Sequence, residues 1–364
     1  MVEWKKLGEV CTIIRGNRVT KGELVENGKF PVISGGVTPM GYINSYNREP
    51  NTITVSQYGT AGFVDFQNSR FWANDICYCV YPEKNIDNKY LWYVLKWKQN
   101  FLYAIRNTDA VPYSLPIDTL KSVSIPIPSI EEQTRIVDIL DTFTASIDNL
   151  KEQIAQRRKQ YEYYRNQLLD IEGKEGVEMK KIKDVCIKIC SGGTPSTSKH
   201  EYYGGSIPWL RTQEVDWKEI YDTEIKITDE AIANSSAKII PANCVIVAMY
   251  GATAAKVAIN KIPLSTNQAC CNLEIESTMA LYRYVFYWLC KEYQNLKAMG
   301  EGSQNNINGQ KVKDYPIPVP SLSEQQRIVE ILDKFETSIQ NLEAQLSQRE
   351  KQYEYYRNKL LSFE

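Results

Sequence analysis

The sequence predicts an α+β protein: two mixed α/β domains joined by two long helices that form an antiparallel coiled coil, with a pseudo-two-fold internal repeat. Three observations predict this fold. The 364-residue chain repeats itself, each copy begins with short strand-like runs, and each copy ends in a long heptad stripe. The predicted divisions are a first mixed domain at 1–128, a helical spacer at 129–172, a second mixed domain at 173–320 and a second spacer at 321–364.

The repeat is clearest in the two spacers. Residues 129–170 and 321–362 align at a constant offset of 192, and 27 of the 42 aligned positions are identical. A shorter match relates residues 3–11 to residues 178–186. The repeating unit is therefore a variable segment followed by a closely matched one.

Within each variable segment the pattern favours strands joined by loops. Runs of β-branched residues such as 52–55 and 244–247 are bounded by Gly, Pro and Asn. A single helical stretch follows in each copy, at 89–104 and 279–297. The two segments are therefore expected to share one fold and to differ in their surfaces.

Each spacer has the pattern of one long helix. A capping-box signature opens each, at Ser129 with Glu132 and at Ser321 with Glu324, after a Pro-x-Pro that ends the preceding segment. At 1.5 Å per residue each helix would be roughly 50 to 60 Å long. Because an amphipathic helix of this length needs a partner, the two matching helices are expected to pair with each other. The predicted seam comprises Ile136, Leu140, Phe143, Ile147, Leu150, Ile154, Arg157, Tyr161, Tyr164 and Leu168 in the first helix, and Ile328, Leu332, Phe335, Ile339, Leu342, Leu346, Arg349, Tyr353, Tyr356 and Leu360 in the second.

Composition argues against several classes of protein. The chain is 43% hydrophobic and 24% charged, which is typical of globular proteins, and it lacks an apolar run long enough for a membrane span or signal peptide. A cytoplasmic location without membrane contact is expected. Nine cysteines show no C-x-x-C spacing, so neither a zinc site nor any other metal site is predicted.

Catalytic motifs are also missing. His200 is the sole histidine, which removes Ser-His-Asp and Cys-His-Asn triads unless His200 serves in one. The sequence has no phosphate-binding G-x-x-x-x-G-K-[ST], no dinucleotide-binding G-x-G-x-x-G after a strand, and no Asn-Pro-Pro-Tyr or Asp-Pro-Pro-Tyr of an adenine methyltransferase. We therefore predict no catalytic residues and no cofactor bound by this chain.

Charge is distributed unevenly. The formal net charge is −1, which by itself does not favour nucleic-acid binding. Residues 1–128 carry 14 basic and 11 acidic side chains and residues 173–320 carry 17 and 16, whereas both spacers are net acidic. The variable domains are thus weakly positive, which is compatible with modest affinity for phosphates and with help from a partner.

Loops of the variable domains are rich in side chains that can contact base edges or phosphates. Arg and Lys pair with guanine, Asn and Gln pair with adenine, and Tyr, Ser and Thr often bind phosphate. Each such loop could equally be an ordinary turn. The candidate DNA-binding residues are Arg15, Asn17, Arg18, Lys21, Gln57, Tyr58 and Arg70 in the first domain, and Lys199, His200, Arg211, Gln213, Tyr250, Lys256, Gln304, Asn305 and Asn306 in the second.

These features together resemble the specificity subunit of a type I restriction-modification enzyme. The resemblance rests on two divergent domains, each followed by a helix that begins Glu-Gln-x-Arg-Ile-Val, at 132–137 and 324–329, and on phrases such as Ser-Gly-Gly-Thr-Pro-Ser at 191–196. It implies that the mixed domains are target recognition domains, each reading one half of a bipartite double-stranded DNA target. It also implies that the helices set the unread gap and dock two methyltransferase subunits.

The same resemblance assigns the chemistry to partners. Methyltransferase subunits would bring S-adenosylmethionine, and up to two restriction/translocase subunits would bring ATP- and Mg-dependent cleavage. The sequence leaves two other interpretations open: a scaffold whose domains bind protein or RNA, and a small nuclease or methyltransferase, which the missing motifs disfavour.

Overall fold

The computed structural model describes residues 2–109, 111–301 and 306–363. The chain forms two compact units, the first comprising Met1–Glu152 with Glu343–Glu364 and the second comprising Gln153–Leu342. Each unit contains one variable segment and a portion of both long helices.

Unit 1 opens with nine short strands and four short helices. In chain order they are β1 Glu3–Lys6, α1 Leu7–Val10, β2 Cys11–Arg15, β3 Phe30–Ile33, β4 Tyr42–Ile43, β5 Thr52–Ser56, β6 Val64–Gln67, β7 Trp72–Ala73, β8 Cys77–Pro82, α2 Asn88–Trp97, α3 Gln99–Ala104, α4 Ile117–Lys121 and β9 Ser124–Ile127. The long helix α5, Ile130–Leu168, follows and starts within unit 1.

The strands of unit 1 form a mainly antiparallel arrangement. A four-stranded sheet has the order β2-β8-β5-β6, a three-stranded sheet has the order β4-β3-β7 with β3 and β7 parallel, and β1 pairs with β9. Every residue of β5 is buried, because this β-branched strand lies inside the larger sheet. Helix α2 packs against β5, β6 and β8, and its start is capped by Asp87, whose carboxylate accepts from the amides of Lys89 and Tyr90.

Unit 2 repeats this arrangement with additions. Its elements after α5 are β10 Glu178–Lys181, β11 Cys186–Ser191, β12 Tyr203–Leu210, β13 Glu219–Ile220, β14 Ile225–Ile227, α6 Asp229–Ala233, β15 Ile239–Ile240, β16 Val245–Ala248, β17 Val257–Asn260, β18 Leu264–Thr266, β19 Cys270–Ile275, α7 Tyr282–Lys291, α8 Tyr293–Ala298, α9 Gly309–Lys313, β20 Pro316–Val319 and the long helix α10, Leu322–Ser362.

The sheets of unit 2 correspond to those of unit 1. The order β11-β19-β16-β17 matches β2-β8-β5-β6, and β13 extends it through a parallel pairing with β17. Strands β12 and β18 pair in parallel, as β3 and β7 do, with β14 and β15 on either side. The additional strands come from the longer connections of the second variable segment.

The long helices begin inside the cores of these units. In unit 1 the core includes Ile136 and Leu140 of α5 together with Leu361 of α10, and in unit 2 it includes Ile328 and Leu332 of α10. A buried glutamine fixes each helix start: Gln133 accepts from the amide of Asp87, and its amide group donates to the carbonyls of Asn85 and Pro128. Gln325 does the same in unit 2 with Leu281, Met279 and Pro320.

The two helices run antiparallel within each unit. In unit 1 Phe143 stacks on Tyr356 at 5.4 Å, and further along α5 Lys151 lies 3.7 Å from the earlier residue Glu350. In unit 2 the equivalent stack joins Phe335 and Tyr164, also at 5.4 Å. The predicted α+β class, antiparallel helix pair and internal repeat are confirmed.

Among the described residues, no helix combines the length and apolar character that crossing a membrane would need.

Candidate DNA interface and helix faces

One end of the larger sheet in unit 1 gathers four connecting segments. At this end β2 finishes at Arg15 opposite Tyr78 of β8, and β5 finishes at Ser56 opposite Cys77. Strand β6 begins at the same end, at Val64. The segments that meet there are residues 16–20, 57–63, 74–76, 105–109 and 111–115. We refer to them as the unit 1 loop cluster.

Close backbone contacts hold this cluster together. A Cβ on Gly16 would lie 2.0 Å from the carbonyl oxygen of Ala73, so only glycine fits there. The amide of Asn17 donates to that same carbonyl at 2.9 Å, and the indole Nε1 of Trp72 donates to the carbonyl of Asn17 at 2.8 Å. Backbone contacts therefore fix this loop and leave the side chains of Asn17 and Arg18 exposed, while the guanidinium of Arg15 lies 5.7 Å from the ring centroid of Tyr78.

The other half of the cluster is tied to the end of β5. Gly59 adopts a left-handed conformation with φ of 74°, which turns the chain directly after Tyr58. The amide of Leu115 donates to the carbonyl of Gln57 at 2.8 Å, and Asn107 and Ser114 exchange two backbone hydrogen bonds of 2.7 and 3.1 Å. Asn107, Ser114 and Leu115 are thus held beside the backbone of Gln57 and Tyr58.

Unit 2 builds the same cluster from other residues. Strand β11 ends at Ser191 opposite Cys271, and a Cβ on Gly192 would lie 2.1 Å from the carbonyl of Thr266. The amide of Gly193 donates to this carbonyl at 2.9 Å, as Asn17 does to Ala73 in unit 1. Gly251 has a φ of 78° and follows Tyr250, which repeats the turn at Gly59. We refer to residues 192–199, 249–256, 267–269 and 299–308 as the unit 2 loop cluster, of which residues 302–305 lie outside the described part.

The two clusters share backbone geometry but differ in chemistry. Where unit 1 presents Arg15 and Asn17 around its close-packed glycine, unit 2 presents Ser191 and Gly193. The tyrosine before the left-handed glycine is kept in both, and its ring is partly exposed, 38% for Tyr58 and 42% for Tyr250. The same scaffold therefore displays two different sets of hydrogen-bonding groups.

Several predicted contact residues belong to these clusters. Arg15, Asn17 and Arg18 are exposed, whereas Gln57 is buried beneath Tyr58. In unit 2 the side chain of Asn306 accepts from the amide of Gly251 at 3.2 Å, so its oxygen supports the turn. Lys21 and His200 are exposed and open short 3₁₀ turns, and Lys199 donates to the hydroxyl of Tyr202. The predicted residues Gln304 and Asn305 lie outside the described residues.

Three other predicted cations are engaged in ion pairs. Arg70 pairs with Glu49 at 3.0 Å, Arg211 with Glu224 at 2.5 Å, and Lys256 with Asp216 at 2.6 Å. The side-chain amide of Gln213 faces the guanidinium of Arg211, 2.9 Å from Nη2. Each of these cations would have to exchange a carboxylate for a phosphate or a base before it could contact DNA.

Sequence reasoning did not single out Arg106 and Tyr113. Both border the paired residues Asn107 and Ser114 of the unit 1 loop cluster. Nothing in a loop sequence with no regular spacing indicates that two positions seven residues apart lie together. The pairing of 107 with 114 becomes visible only in the fold.

The predicted seam residues occupy two kinds of environment. Ile136, Leu140, Ile328 and Leu332 pack into the cores of their units rather than against the other long helix alone. Further along the helices, Ile147 and Ile154 are buried. Two predicted seam residues are exposed, Tyr164 by 45% and Tyr356 by 42%, because their rings lie at the edge of the helix pair and stack on Phe335 and Phe143. The remaining predicted seam residues are half-buried: Phe143, Leu150, Arg157, Tyr161, Leu168, Phe335, Ile339, Leu342, Leu346, Arg349, Tyr353 and Leu360.

The outer faces of the long helices carry matched aromatic side chains. Tyr163 of α5 is 58% exposed, and Tyr355, at the offset of 192, is 60% exposed. Each lies beside a second tyrosine in an edge-to-face pair with 5.3 Å between ring centroids. Large exposed aromatic groups of this kind are enriched in protein interfaces.

A charged junction joins α5 to α2 in unit 1 and α10 to α7 in unit 2. In unit 1, Asp141 accepts from the hydroxyl of Tyr93 at 2.6 Å and from Nζ of Lys89 at 2.5 Å. Burial and the nearby carboxylate raise the pKa of the Tyr93 hydroxyl. The unit 1 junction thus has one carboxylate and one cation.

In the unit 2 junction three carboxylates surround Arg283, and Lys261 lies 3.8 Å from one of them, Glu219. Arg283 donates to Asp333 at 2.8 Å, to Glu219 at 2.5 Å and to Glu336 at 3.1 Å. Burial raises the pKa of Glu336. A cleft of about 530 Å³ opens beside this cluster.

The described residues contain no group of three or more His, Cys, Asp or Glu side chains that could hold a metal ion. Burial raises the pKa of most thiols, for example to about 12 for Cys11 and Cys186. Cys79 differs, since a hydrogen bond with Cys77, supported by Arg48, lowers its pKa to about 7. This thiol is fully buried in the sheet and therefore lacks the access that a nucleophile needs.

Comparison with known proteins decides the family. The sequence profile described as "Type I restriction modification DNA specificity domain" matches residues 1–157 and again residues 174–350. The chain belongs to this family of type I DNA specificity subunits. Its two matches correspond to the two copies of the internal repeat.

Individual relatives agree with this assignment over more than nine-tenths of their length. The chain is 34% identical to the type I restriction enzyme EcoR124I/EcoR124II specificity subunit of Escherichia coli, covering 100% of this chain and 94% of that protein. It is 29% identical to a type I specificity subunit assigned in Haemophilus influenzae, covering 100% and 96%.

Solved structures share the fold of this specificity subunit. A type I restriction-modification S subunit from M. genitalium superposes with a TM-score of 0.70 at 17% identity, covering 99% of this chain and 96% of that one. A chain from a study of complex assembly and conformational transition of the type I system superposes with a TM-score of 0.61 at 18% identity, covering 99% and 96%.

Proposed function

We propose that this specificity subunit reads a bipartite double-stranded DNA target, with one half-site assigned to each recognition domain, residues 1–128 and 173–320. The supporting observation is the pair of loop clusters, which share one backbone scaffold and display different side chains. A protein that reads two different half-sites needs this combination, because a common scaffold sets the docking geometry and different side chains determine which bases are recognised.

The chain itself would carry out no chemistry. S-adenosylmethionine would be bound by methyltransferase subunits, and ATP and Mg by restriction/translocase subunits where these are present. The cytoplasm is the location proposed for the assembled complex. This division of labour follows from the family and from the relatives named above, which are themselves specificity subunits.

The long helices would dock two methyltransferase subunits and set the number of unread base pairs. Support comes from their exposed faces, which repeat the same aromatic groups at Tyr163 and Tyr355. Two matched surfaces are what two copies of one partner require.

The function is tested by co-expression with the methyltransferase encoded beside this chain, in a host without adenine methylation. Single-molecule sequencing then maps the modified adenines across the genome. We expect one split motif with a fixed gap. A silent methylome from a complex shown to be intact by native mass spectrometry would overturn the proposal.

Docking is tested on the same complex. The variant Tyr163→Glu should lose one methyltransferase subunit, Tyr355→Glu the other, and the double variant both, because a buried unpaired carboxylate opposes association. Lys84→Glu, an exposed position in the first recognition domain, is the control and should retain two copies. Full assembly of the double variant would exclude this face as the docking site.

A further inference from the structure

Arg106 lies at the edge of the unit 1 loop cluster. It immediately precedes Asn107, whose backbone pairs with Ser114, and Ser114 forms a bridge with Tyr58. Consecutive Cα atoms are about 3.8 Å apart, so the Cα of Arg106 lies at about that distance from the Cα of the paired residue Asn107. Arg106 therefore adjoins the backbone segment that pairs with Tyr58.

Two aromatic rings hold the guanidinium of Arg106. Its central carbon lies 4.5 Å from the ring centroid of Tyr113 and 5.5 Å from that of Tyr103. Such contacts fix the plane of a guanidinium without neutralising its charge. The side chain is half-buried, so part of the entropic cost of ordering it has been met before any ligand binds.

The charge of Arg106 has no counter-ion among the described residues. No carboxylate forms an ion pair with it and no hydrogen bond of its guanidinium is found, in contrast to Arg70, which is held by Glu49. Its Nε is buried without a hydrogen-bond partner, and the neighbouring rings offer only their π faces. The terminal nitrogens, which are not buried in this way, are thus the donors left for a ligand.

The repeat supplies an internal comparison. Buried Leu102 of α3 corresponds to Leu296 of α8, and the bridge of Asn107 with Ser114 corresponds to that of Glu301 with Asn306. Counting from these anchors, the position of Arg106 in unit 2 is Gly300. No cation occupies it, and nearby Lys311 is paired with Glu301.

We propose that Arg106 is a DNA-binding residue specific to the half-site read by the first recognition domain. Its terminal nitrogens would donate to a pair of DNA acceptors, the chemistry offered both by a backbone phosphate and by the O6 and N7 edge of guanine. The inference rests on the proposed function, because it requires the unit 1 loop cluster to face DNA.

The test uses the complete complex with its methyltransferase subunits and the target sequence obtained from the methylome. Binding is measured on duplexes in which each base pair of both half-sites is changed in turn, at several salt concentrations. Arg106→Met is compared with Lys84→Met, which removes the same charge from an exposed position after β8, at the opposite end of the same sheet. Arg106→Lys keeps the charge but removes the planar fork.

For Arg106→Met we expect affinity for the cognate duplex to fall about tenfold or more, with the salt slope reduced by about one, whereas Lys84→Met should change both far less. Arg106→Lys should recover the salt slope but only part of the affinity. A loss that is uniform over all duplexes assigns the acceptor to a phosphate, and a loss confined to one base pair assigns it to guanine.

Three results would overturn the inference. The first is an equal effect of Arg106→Met and Lys84→Met on affinity, and the second is a loss of affinity confined to the half-site read by residues 173–320. The third is a loss of affinity that accompanies reduced thermal stability in both Arg106→Met and Arg106→Lys. These are distinguishable from failure of the proposed function, which would appear as a wild-type complex without a split, sequence-selective target.

Discussion

The two junctions between recognition domain and long helix differ although the sequences around them are close copies. Asp141 and Asp333 occupy equivalent positions 192 residues apart, and each accepts from a tyrosine hydroxyl at 2.6 Å. In unit 1 the balancing cation is Lys89, whereas in unit 2 it is Arg283 with two further carboxylates around it. Of the two further carboxylates, Glu219 comes from the variable segment, whereas Glu336 lies on the long helix at the position that is Thr144 in the first copy. The difference in electrostatics therefore arises on both sides of the junction.

The same lesson applies to the loop clusters. Gly16 and Gly192 are kept because a carbonyl oxygen occupies the space of a Cβ, while the residues beside them have diverged. Comparison of the two copies within this chain therefore distinguishes positions that the backbone scaffold requires from positions that have varied.

The largest effect is expected from exchanging a whole recognition domain. Replacing residues 173–320 with those of a relative should change one half-site completely and leave the other untouched, because each loop cluster is built within its own unit. The methylome of the exchanged complex checks this. A change in both half-sites would show that the domains do not read independently.

The junctions should respond unequally to loss of their cations. Arg283→Met leaves Asp333 and Glu336 together in a partly buried place beside Glu219, which keeps Lys261 at 3.8 Å, and should cost about 3 kcal/mol of stability. Lys89→Met leaves one carboxylate that is more than one-third exposed, and should cost about 0.5 kcal/mol. Urea unfolding of both variants measures the difference.

The deficit of Arg283→Met should also depend on pH. Burial already raises the pKa of Glu336 in the wild type, so the folded state holds the proton of this carboxyl more tightly than the unfolded state does. When the folded-state pKa of a carboxyl is raised, the protein gains stability as the pH falls through that pKa. Removing the guanidinium of Arg283 raises the pKa of Glu336 further. We expect the deficit to be largest near pH 8 and to shrink towards pH 5, and a pH-independent deficit would contradict the charge-cluster explanation.

Substitution of the close-packed glycines Gly16 and Gly192 should destabilise their units equally. Gly16→Ala and Gly192→Ala each place a Cβ against a backbone carbonyl and should cost about 1 to 3 kcal/mol, with each affecting recognition of only one half-site. Gly22→Ala is the matched control, since the nearest atom to its added Cβ is 4.0 Å away. Hydrogen exchange by mass spectrometry locates the loosened segment, and a spread into the other unit would argue against two separate clusters.

The smallest difference is expected at the aromatic stacks. Phe143→Ala and Phe335→Ala remove equivalent rings, each stacked on a tyrosine at 5.4 Å and approached by an arginine of the other long helix. Both should lose about 2 kcal/mol, and the two losses should agree within about 0.5 kcal/mol. Unequal losses would show that the two helices match in sequence but differ in the energetics of their packing.

Most of the fold was predictable because repetition and heptad spacing are properties of the sequence alone. The two helices, their pairing and the shared fold of the variable segments follow from matched positions such as Phe143 and Phe335. The sequence could not show that Ile136 and Leu140 would pack into a domain core, because an apolar stripe does not say which neighbour covers it.

The candidate site was predictable only in part. Tyr58 and Tyr250 stand out through the repeat, and the structure places each at the turn of its loop cluster. Ion pairing of Arg70 and Arg211, and the stacking of Arg106, depend on partners brought together by folding. A loop sequence with no periodicity carries no signal for such contacts.

The position of Leu361 bears on how the protein is made. This leucine is fully buried in the core that otherwise consists of residues 7–140, and the nearby Asn358 accepts from the indole of Trp97 at 3.1 Å. During synthesis the first recognition domain therefore emerges from the ribosome long before the residues that complete its core. The core of the first recognition domain can be completed only after the whole second recognition domain has been synthesised, whereas unit 2 is encoded by one continuous stretch.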